Sequence, residues 1–255
     1  MNTYSAFASV YDRLTDNVEY IKRAAYLHDI LSKNGVNDGA TVLDLACGTG
    51  NLTLELAEYY DMLGVDISAD MLSFALNKMY KSKKEILFLR QDMTKLDLYG
   101  TIDAAVCTLD SLNHLDSEES VEETIKRVGL FMNPGGIFVF DVNTVYKHHE
   151  ILKNNTFVYD CDDVYCVWQN TLNEDDSIEI CLDIFEEHGG VYLRSGETFT
   201  ERAYPIEKYR GWLQNAEFKI INIFDEMTQN NITDETQRAV FVARYTGKSE
   251  ENIHG

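Results

Sequence analysis

Proline occurs only at Pro134 and Pro205 in 255 residues, and no repeat, low-complexity tract or Pro/Gly-rich linker interrupts the chain. Hydrophobic residues make up 45% and are spread along the whole length, so neither disorder nor a collagen-like class is plausible, and one domain, or one domain with an elaboration, is expected. Cysteine is sparse and odd in number (Cys47, Cys107, Cys161, Cys166, Cys181), with no CxxC pair. That argues against a disulfide framework and against a zinc ribbon. Basic residues are also few: 22 Lys and Arg stand against 43 Asp and Glu, a formal charge of -21. Nucleic-acid binding draws its affinity from cations meeting phosphates, so a polyanionic partner is disfavoured. The cluster Lys78, Lys81, Lys83 and Lys84 reads as a solvated helix end. No apolar run approaches the roughly 18 residues that span a bilayer, and the opening MNTYSAFASVYDRL carries Asp12 and Arg13 where a leader needs apolar residues. No membrane association is expected, and the expected location is cytoplasmic.

What is present is periodicity. From Tyr4 to about Lys33 apolar residues recur at helical spacing (Phe7, Val10, Tyr11, Leu14, then Ile21, Ala24, Leu27, Ile30, Leu31), which predicts two helices stopped by Gly35 and Gly39. Short apolar runs then alternate with amphipathic segments: TVLDLA, NLTLELAEYY, DMLGVDI, SADMLSFALNKMY, EILFLRQDM, TIDAAVCTL, SEESVEETIKRVGLFM and GGIFVFDVN. Five strands that read as continuous apolar runs, with helices between them, imply an α/β fold with a doubly wound, mostly parallel sheet. Asn133 to Gly136 (NPGG) is expected to turn the chain into the fifth strand.

After Asn143 the pattern changes. TFVYDCD, DVYCVWQNTLN, SIEICLDIFEEHGG and VYLRSGETFTERAY are rich in β-branched and aromatic residues and are separated by turn signals, which predicts an antiparallel meander. PIEKYRGWLQNAEF restores a helix, and FKIINIFDE and RAVFVARYT supply two more strands, making seven in the main sheet. The expected division is a main domain of residues 1–143 and 205–247, with 1–35 as a helical cap, and an inserted β subdomain at 144–204.

The functional signal lies in VLDLACGTGN, residues 42–51. Gly48 and Gly50 at the end of the first strand permit close approach of a ligand to the backbone. A P-loop is excluded because GK[ST] is missing, and the dinucleotide fingerprint fails because Thr53 holds the place of its third glycine. Acids recur at successive strand ends instead: Asp44, Asp66, Asp92 and Asp110. Beside a pyrophosphate they would repel; a ligand with an ammonium, a sulfonium and a ribose diol can use all four. S-adenosylmethionine has that constitution. The rival reading of each acid is a helix cap or an Asx turn.

VLDLACGTGNLT, together with GVDIS, RQDM, CTLDSLNHL and PGGIFVFDVN, resembles the class I S-adenosylmethionine-dependent methyltransferases over roughly residues 40–143. YSAFASVYDRLT and RAYPIEKYRGWLQNAEF are similar to the small-molecule branch of that superfamily, including its sugar-amine N-methyltransferases. The resemblance implies a Rossmann-like methyltransferase fold and S-adenosyl-L-methionine as cofactor. It puts Asp44 and the backbone at Ala46 and Gly48 near the methionine moiety and Asp66 on the ribose, with Gly50 and Ile67 also among the cofactor-binding residues. Asp92 and Met93 fall at the adenine, and Leu109 or Asp110 near the amino group. Tyr4 and Tyr11, seven apart on one helix face, either cover the cofactor or pack in the core. Ala46 departs from the glycine that many relatives carry.

The implied activity is methyl transfer to a nitrogen or oxygen of a small-molecule acceptor. The alternatives are a tRNA or protein methyltransferase, a non-catalytic S-adenosylmethionine-binding regulator, and, on fold alone, a nicotinamide oxidoreductase. His114 in LDSLNHL is the candidate base, since imidazole titrates near neutrality; a structural role is its rival. No metal is expected. The pair His148 and His149 is expected on an exposed connection, His28 in a structural or exposed position, and Cys47 as no nucleophile. Tyr146, Trp168, Tyr192, Arg194, Arg202 and Tyr204 are candidates for lining the acceptor pocket or for the core of the meander.

Overall fold

The structure is a computed structural model that describes residues 5–247. Tyr4 lies outside the described residues. The chain opens with helices α1 (Ser5–Leu14) and α2 (Tyr20–Lys33). Strands and helices then alternate: β1 (Thr41–Leu45), α3 (Asn51–Leu56), β2 (Asp61–Asp66), α4 (Ala69–Ser82), β3 (Leu87–Arg90), β4 (Ile102–Cys107), α5 (Glu118–Phe131) and β5 (Met132–Asn143). Four strands follow, β6 (Thr156–Cys161), β7 (Val164–Leu172), β8 (Ile178–His188) and β9 (Val191–Glu201), and then α6 (Ile206–Asn215), β10 (Phe218–Asp225) and β11 (Arg238–Tyr245).

Seven strands form the main sheet in the order β10-β11-β5-β4-β1-β2-β3, parallel except for β11, which inserts between β5 and β10 and runs antiparallel to both. The strand pattern explains the continuous apolar runs. Leu43, Leu45, Phe138, Phe140 and Phe241 face α5 and α6 on one side. Their neighbours Val42, Ile137, Val139, Val240 and Val242 face α2 and α3 on the other. With both faces covered, the period-2 alternation separates two apolar sets rather than apolar from polar. The NPGG segment differs from expectation: it loops out within β5, where Ile102 pairs with Met132 and Ala104 already pairs with Ile137. Gly135, at φ +86°, makes that bulge possible.

β6 to β9 form a separate antiparallel sheet in sequential order. Ile178, Ile180, Leu182 and Ile184 alternate onto its inner face and pack with Val10 of α1. Burying each such side chain contributes roughly 1.5–3 kcal/mol relative to leaving it exposed. Arg13, at the end of α1, adds ion pairs to Asp163 (2.6 Å) and Glu186 of this sheet. Asp12, one residue earlier, holds the other side: its carboxylate accepts from Thr49 Oγ1 (2.6 Å) and Asn51 Nδ2 (2.9 Å) and meets Lys78 Nζ at 2.6 Å. Helix α1 is thus clamped between the glycine loop and the inserted sheet. The expectation of a wholly solvated lysine cluster is corrected here, because Lys78 reaches Asp12 and Lys84 reaches the Leu54 carbonyl and Glu58. No helix among the described residues is long and apolar enough to cross a membrane.

Candidate active site

Strand order reverses between β1 and β4, the place where an open α/β sheet leaves a crevice at its carboxyl edge. A cavity of about 490 Å³ lies there, roofed by α1 and floored at its far end by the inserted sheet. A smaller recess of about 310 Å³ adjoins it beyond Ala46, Asp66 and Ile67. Of the residues singled out by sequence, Tyr11, Asp44, Ala46, Gly48, Asp66, Ile67, Met93, Leu109, Asp110 and His114 all line the main cavity. Asp92 lines the recess. Gly50 lines neither: a Cβ there would stand 2.9 Å from that of Ala75, so its lack of a side chain serves packing of the loop against α4.

The loop is a sequence of tight backbone turns. Ala46 takes φ +63°, Gly48 +54° and Gly50 +76°. For alanine that conformation costs about 1 kcal/mol, which explains why glycine suits the position. A Cβ at Gly48 would have no atom within 4 Å beyond its chain neighbours, and Gly48 lines the cavity. Asp44 is 2% exposed and accepts from Thr53 Oγ1 at 2.6 Å. Burial pushes its carboxyl up to about 7 against the pull of that hydrogen bond, and Asp66 pushes the same way. Asp66 accepts the backbone N–H groups of Gly48 and Ser68, both at 2.8 Å, so it fastens the end of β2 to the loop after β1. Burial raises its pKa too, opposed by these amides. The Cys47 thiol is raised well above its ordinary value by burial and by Asp44 and Asp66, the reverse of what a nucleophile needs.

After β4 the chain turns through two successive left-handed residues, Leu109 (φ +57°) and Asp110 (φ +55°), whose N–H groups both donate to Asp141, at 3.0 and 2.7 Å. Asp141, buried in β5, also contacts Arg238 of β11 (3.3 Å) and Arg23 of α2 (3.6 Å). Arg238 reaches Asp110 at 2.9 Å. Burial works to raise the Asp110 pKa, but Arg238, Lys147 and His114 outweigh it and hold the group at about 2. The picture of four free acids rimming one crevice is corrected accordingly. They do gather at one edge, but Asp44 keeps its proton to about pH 7, Asp66 is occupied by amides and Asp110 is neutralised by Arg238.

His114 ends the short 3-10 turn Ser111–His114 and borders both cavity and recess. Its Nε2 lies 3.7 Å from Glu201 Oε1, and its ring tilts against Phe199. Glu201, Asn143, Lys147 and Arg238 all line the cavity, and sequence reading passed over each of them. One signal was available: Asp141 within the apolar run IFVFDVN required a buried basic partner. His148 corrects the expectation of an exposed histidine pair; it is fully buried on the π turn Lys147–Leu152, which packs against β7, and its Nε2 lies 3.7 Å from Glu201. Among the described residues, Asp110, His114 and Glu201 bring one ligand atom each within 4.8 Å of one another. A cation there would compete with Arg238 for Asp110.

Of the aromatic and basic candidates for the acceptor wall, Trp168 lines the cavity, beside Tyr159, Leu182 and Phe199 of the same sheet. Arg194 pairs with Asp183, Arg202 pairs with Asp175, Tyr192 is exposed, Tyr204 packs on Trp212, and Tyr146 does not line the cavity. His28 is structural, stacked on Tyr59 at 3.9 Å with Nδ1 2.9 Å from the Tyr60 hydroxyl.

Known proteins share this arrangement. Residues 42–136 match the family model described as a methyltransferase domain. YqeM of Bacillus subtilis (strain 168), a protein named as a methyltransferase, is 35% identical over 244 residues, which cover 94% of this chain and 96% of YqeM. The crystal structure of an S-adenosylmethionine-dependent methyltransferase from Clostridium acetobutylicum ATCC 824 superposes with a TM-score of 0.88 at 32% identity, covering 96% of this chain and 99% of that one. CalS10, an amino pentose methyltransferase from Micromonospora echinaspora solved with S-adenosylmethionine bound, has a TM-score of 0.73 at 18% identity over 89% of this chain and 92% of its own; that likeness is one of fold. A seven-stranded sheet with β11 reversed and a glycine loop at its switch point defines the Rossmann-like methyltransferase architecture. The chain belongs to the class I S-adenosylmethionine-dependent methyltransferases and is an enzyme that takes S-adenosylmethionine as its cofactor.

Proposed function

We propose that the protein transfers the methyl group to a nitrogen or oxygen of a small-molecule acceptor held between the sheet edge, α1 and the inserted sheet. The observation that carries this reading is the two-ended cavity. Its loop end is polar backbone and carboxylate, its far end is the apolar and aromatic face of the inserted sheet, and His114 stands between them. The loop end fits the cofactor, since Gly48 leaves open space where a side chain would intrude. Asp66 would accept from the ribose, Ile67 would cover it, and Asp92 and Met93 would flank the adenine in the recess. Asp44, Leu109 and Asp110, with the backbone at Ala46 and Gly48, would surround the methionine moiety, and Tyr11 would close over it from α1.

S-adenosylmethionine supplies a methyl group already activated by positive sulfur, so the chain's task is to hold the acceptor in line with it. His114 Nε2 would take the proton that the acceptor nitrogen or oxygen sheds on methylation. We assign residues 1–143 and 205–247 to the cofactor-binding domain, with 1–35 as its cap. Residues 144–204 would be the inserted unit that supplies the acceptor wall; the separate sheet formed by β6 to β9 supports that division. The -21 charge favours a small metabolite over RNA.

The test is a tritium-transfer screen from labelled S-adenosylmethionine into pooled amine and hydroxyl metabolites, with tRNA and protein pools alongside. Transfer into the small-molecule pool is expected. Transfer only into tRNA or protein would overturn the acceptor class, and tight cofactor binding with no transfer to any pool would make the chain a regulator. Asp66→Ala is the control: losing a hydrogen bond to a charged group weakens cofactor binding by about 1.5–3 kcal/mol, roughly 10- to 150-fold. Unchanged affinity by calorimetry would contradict the ribose assignment.

A further inference from the structure

Most of the basic side chains that reach the interior of this face have a carboxylate in contact. Arg23 meets Asp141 and Glu226, Arg238 meets Asp110 and Asp141, and Lys78 meets Asp12. Lys147 does not. It sits one helical turn beyond Asn143, where the chain leaves the carboxyl end of β5, and its Nζ donates to Asn143 Oδ1 at 2.9 Å. No carboxylate lies within 4 Å of it among the described residues, although it lines the cavity. An ammonium has three donors, and Asn143 Oδ1 is the one hydrogen-bond partner of Lys147 Nζ among the described residues. Across the same cavity, Glu201 is 2% exposed, and its neighbours are Asn143 Nδ2 at 3.1 Å and the two histidines at 3.7 Å. Burial and Arg238 lower the Lys147 pKa against the pull of Asp110 and, less strongly, Glu201, so the cavity is lined by a lysine and a buried carboxylate that feel each other's field without touching.

Holding both groups apart in a partly desolvated space is costly unless something bridges them. A ligand with one charge of each sign would do so, placing an anion on Lys147 and its amine between Glu201 and His114. Trp168 and Phe199 line the same cavity, and aromatic rings pack well against a carbon skeleton.

We propose that Lys147 is an acceptor-binding residue that selects an amine bearing a carboxylate, so that the acceptor class is a small, ring-containing amino acid. This rests on the methyltransferase reading above and narrows it. Asn143 is the positioning residue: one side-chain amide accepts from Lys147 and donates to both Asp110 and Glu201, which fixes the spacing between the two binding ends.

The experiment uses the full chain saturated with S-adenosylhomocysteine and matched probes that differ only in the carboxylate: phenylalanine against phenethylamine, tyrosine against tyramine, and 3-aminobenzoate against aniline. Dissociation constants are read by ligand-observed NMR. At least one acid is expected to bind more than about tenfold tighter than its decarboxylated partner, the gain from a charge-assisted hydrogen bond. Lys147→Met should reduce that preference to less than about threefold while leaving S-adenosylhomocysteine affinity within about twofold, and Lys147→Arg should retain the preference. Equal binding within every pair, or no acid binding below about 10 mM, would overturn the proposal. So would a loss of more than about tenfold in S-adenosylhomocysteine affinity for Lys147→Met, since the lysine would then be holding the cofactor's own carboxylate. Failure of the wild-type chain to bind S-adenosylhomocysteine would remove the broader reading and this one with it, and it is seen before any probe is added.

Discussion

The proposed place of Asp44 at the methionine end makes cofactor binding a titration. Its carboxyl is buried beneath the glycine loop, faces Thr53, Asp66 and the Cys47 thiol, and is held protonated up to about pH 7. In the proposed binding mode the ammonium and sulfonium of the cofactor would come to this end of the cavity, and a nearby positive charge favours the carboxylate. Binding should therefore expel the proton. A group with a pKa of about 7 is roughly three-quarters protonated at pH 6.5 and about one-tenth protonated at pH 8, so proton release should fall from at most about 0.75 to about 0.1 over that interval. The sign for affinity follows. With the pKa lowered in the complex, affinity rises with pH by up to about tenfold per unit below pH 7 and levels off above it. Calorimetry with S-adenosylmethionine in buffers of different ionisation enthalpy measures the released protons directly. Asp44→Asn keeps an oxygen for the Thr53 hydroxyl but cannot titrate, so it should abolish the buffer dependence at pH 6.5. Binding enthalpies that do not vary with buffer in the wild type, or that vary equally in Asp44→Asn, would refute the reasoning.

Two further outcomes follow from the polar network behind the cavity. His114→Ala should slow turnover by about 10²- to 10⁴-fold with cofactor affinity retained, the range for a positioned general base; a normal rate would leave His114 with a structural role only. Arg238→Met leaves the carboxylates of Asp110 and Asp141 without their shared guanidinium, and breaking a buried pair in this way destabilises by about 3–5 kcal/mol. Urea denaturation should show that loss as a lower midpoint at unchanged slope, and a change under about 1 kcal/mol would mean that the charges are neutralised by other groups.

The inserted sheet shows why local pattern was a good guide to the fold. The alternating isoleucines of β8 and the turns at Asp162, Asp175 and Gly189 dictate strand, face and reversal over a few residues each. The same holds for VLDLACGTGN, whose glycines encode backbone conformations that few other residues accept. Such features are periodic or steric, and they act between near neighbours. Lys147, Glu201 and Arg238 behave differently. Each is an unremarkable residue in its own segment, and each acquires its partners through an element distant in the chain: Arg238 through the insertion of β11 beside β5, Glu201 through the docking of β9 against the turn after β4.

By itself, then, the amino-acid order determined the layered α/β architecture, the glycine loop, the acids at the strand ends and the added β-sheet, because hydrophobic periodicity and backbone sterics are written locally. Only the tertiary structure decided which of those acids remain free and which are neutralised, which histidine is buried, and that Lys147 and the buried carboxylate of Glu201 line one cavity. Charge is a long-range quantity whose effect depends on burial and on neighbours that chain order does not reveal, so its balance emerges only when the sheet closes.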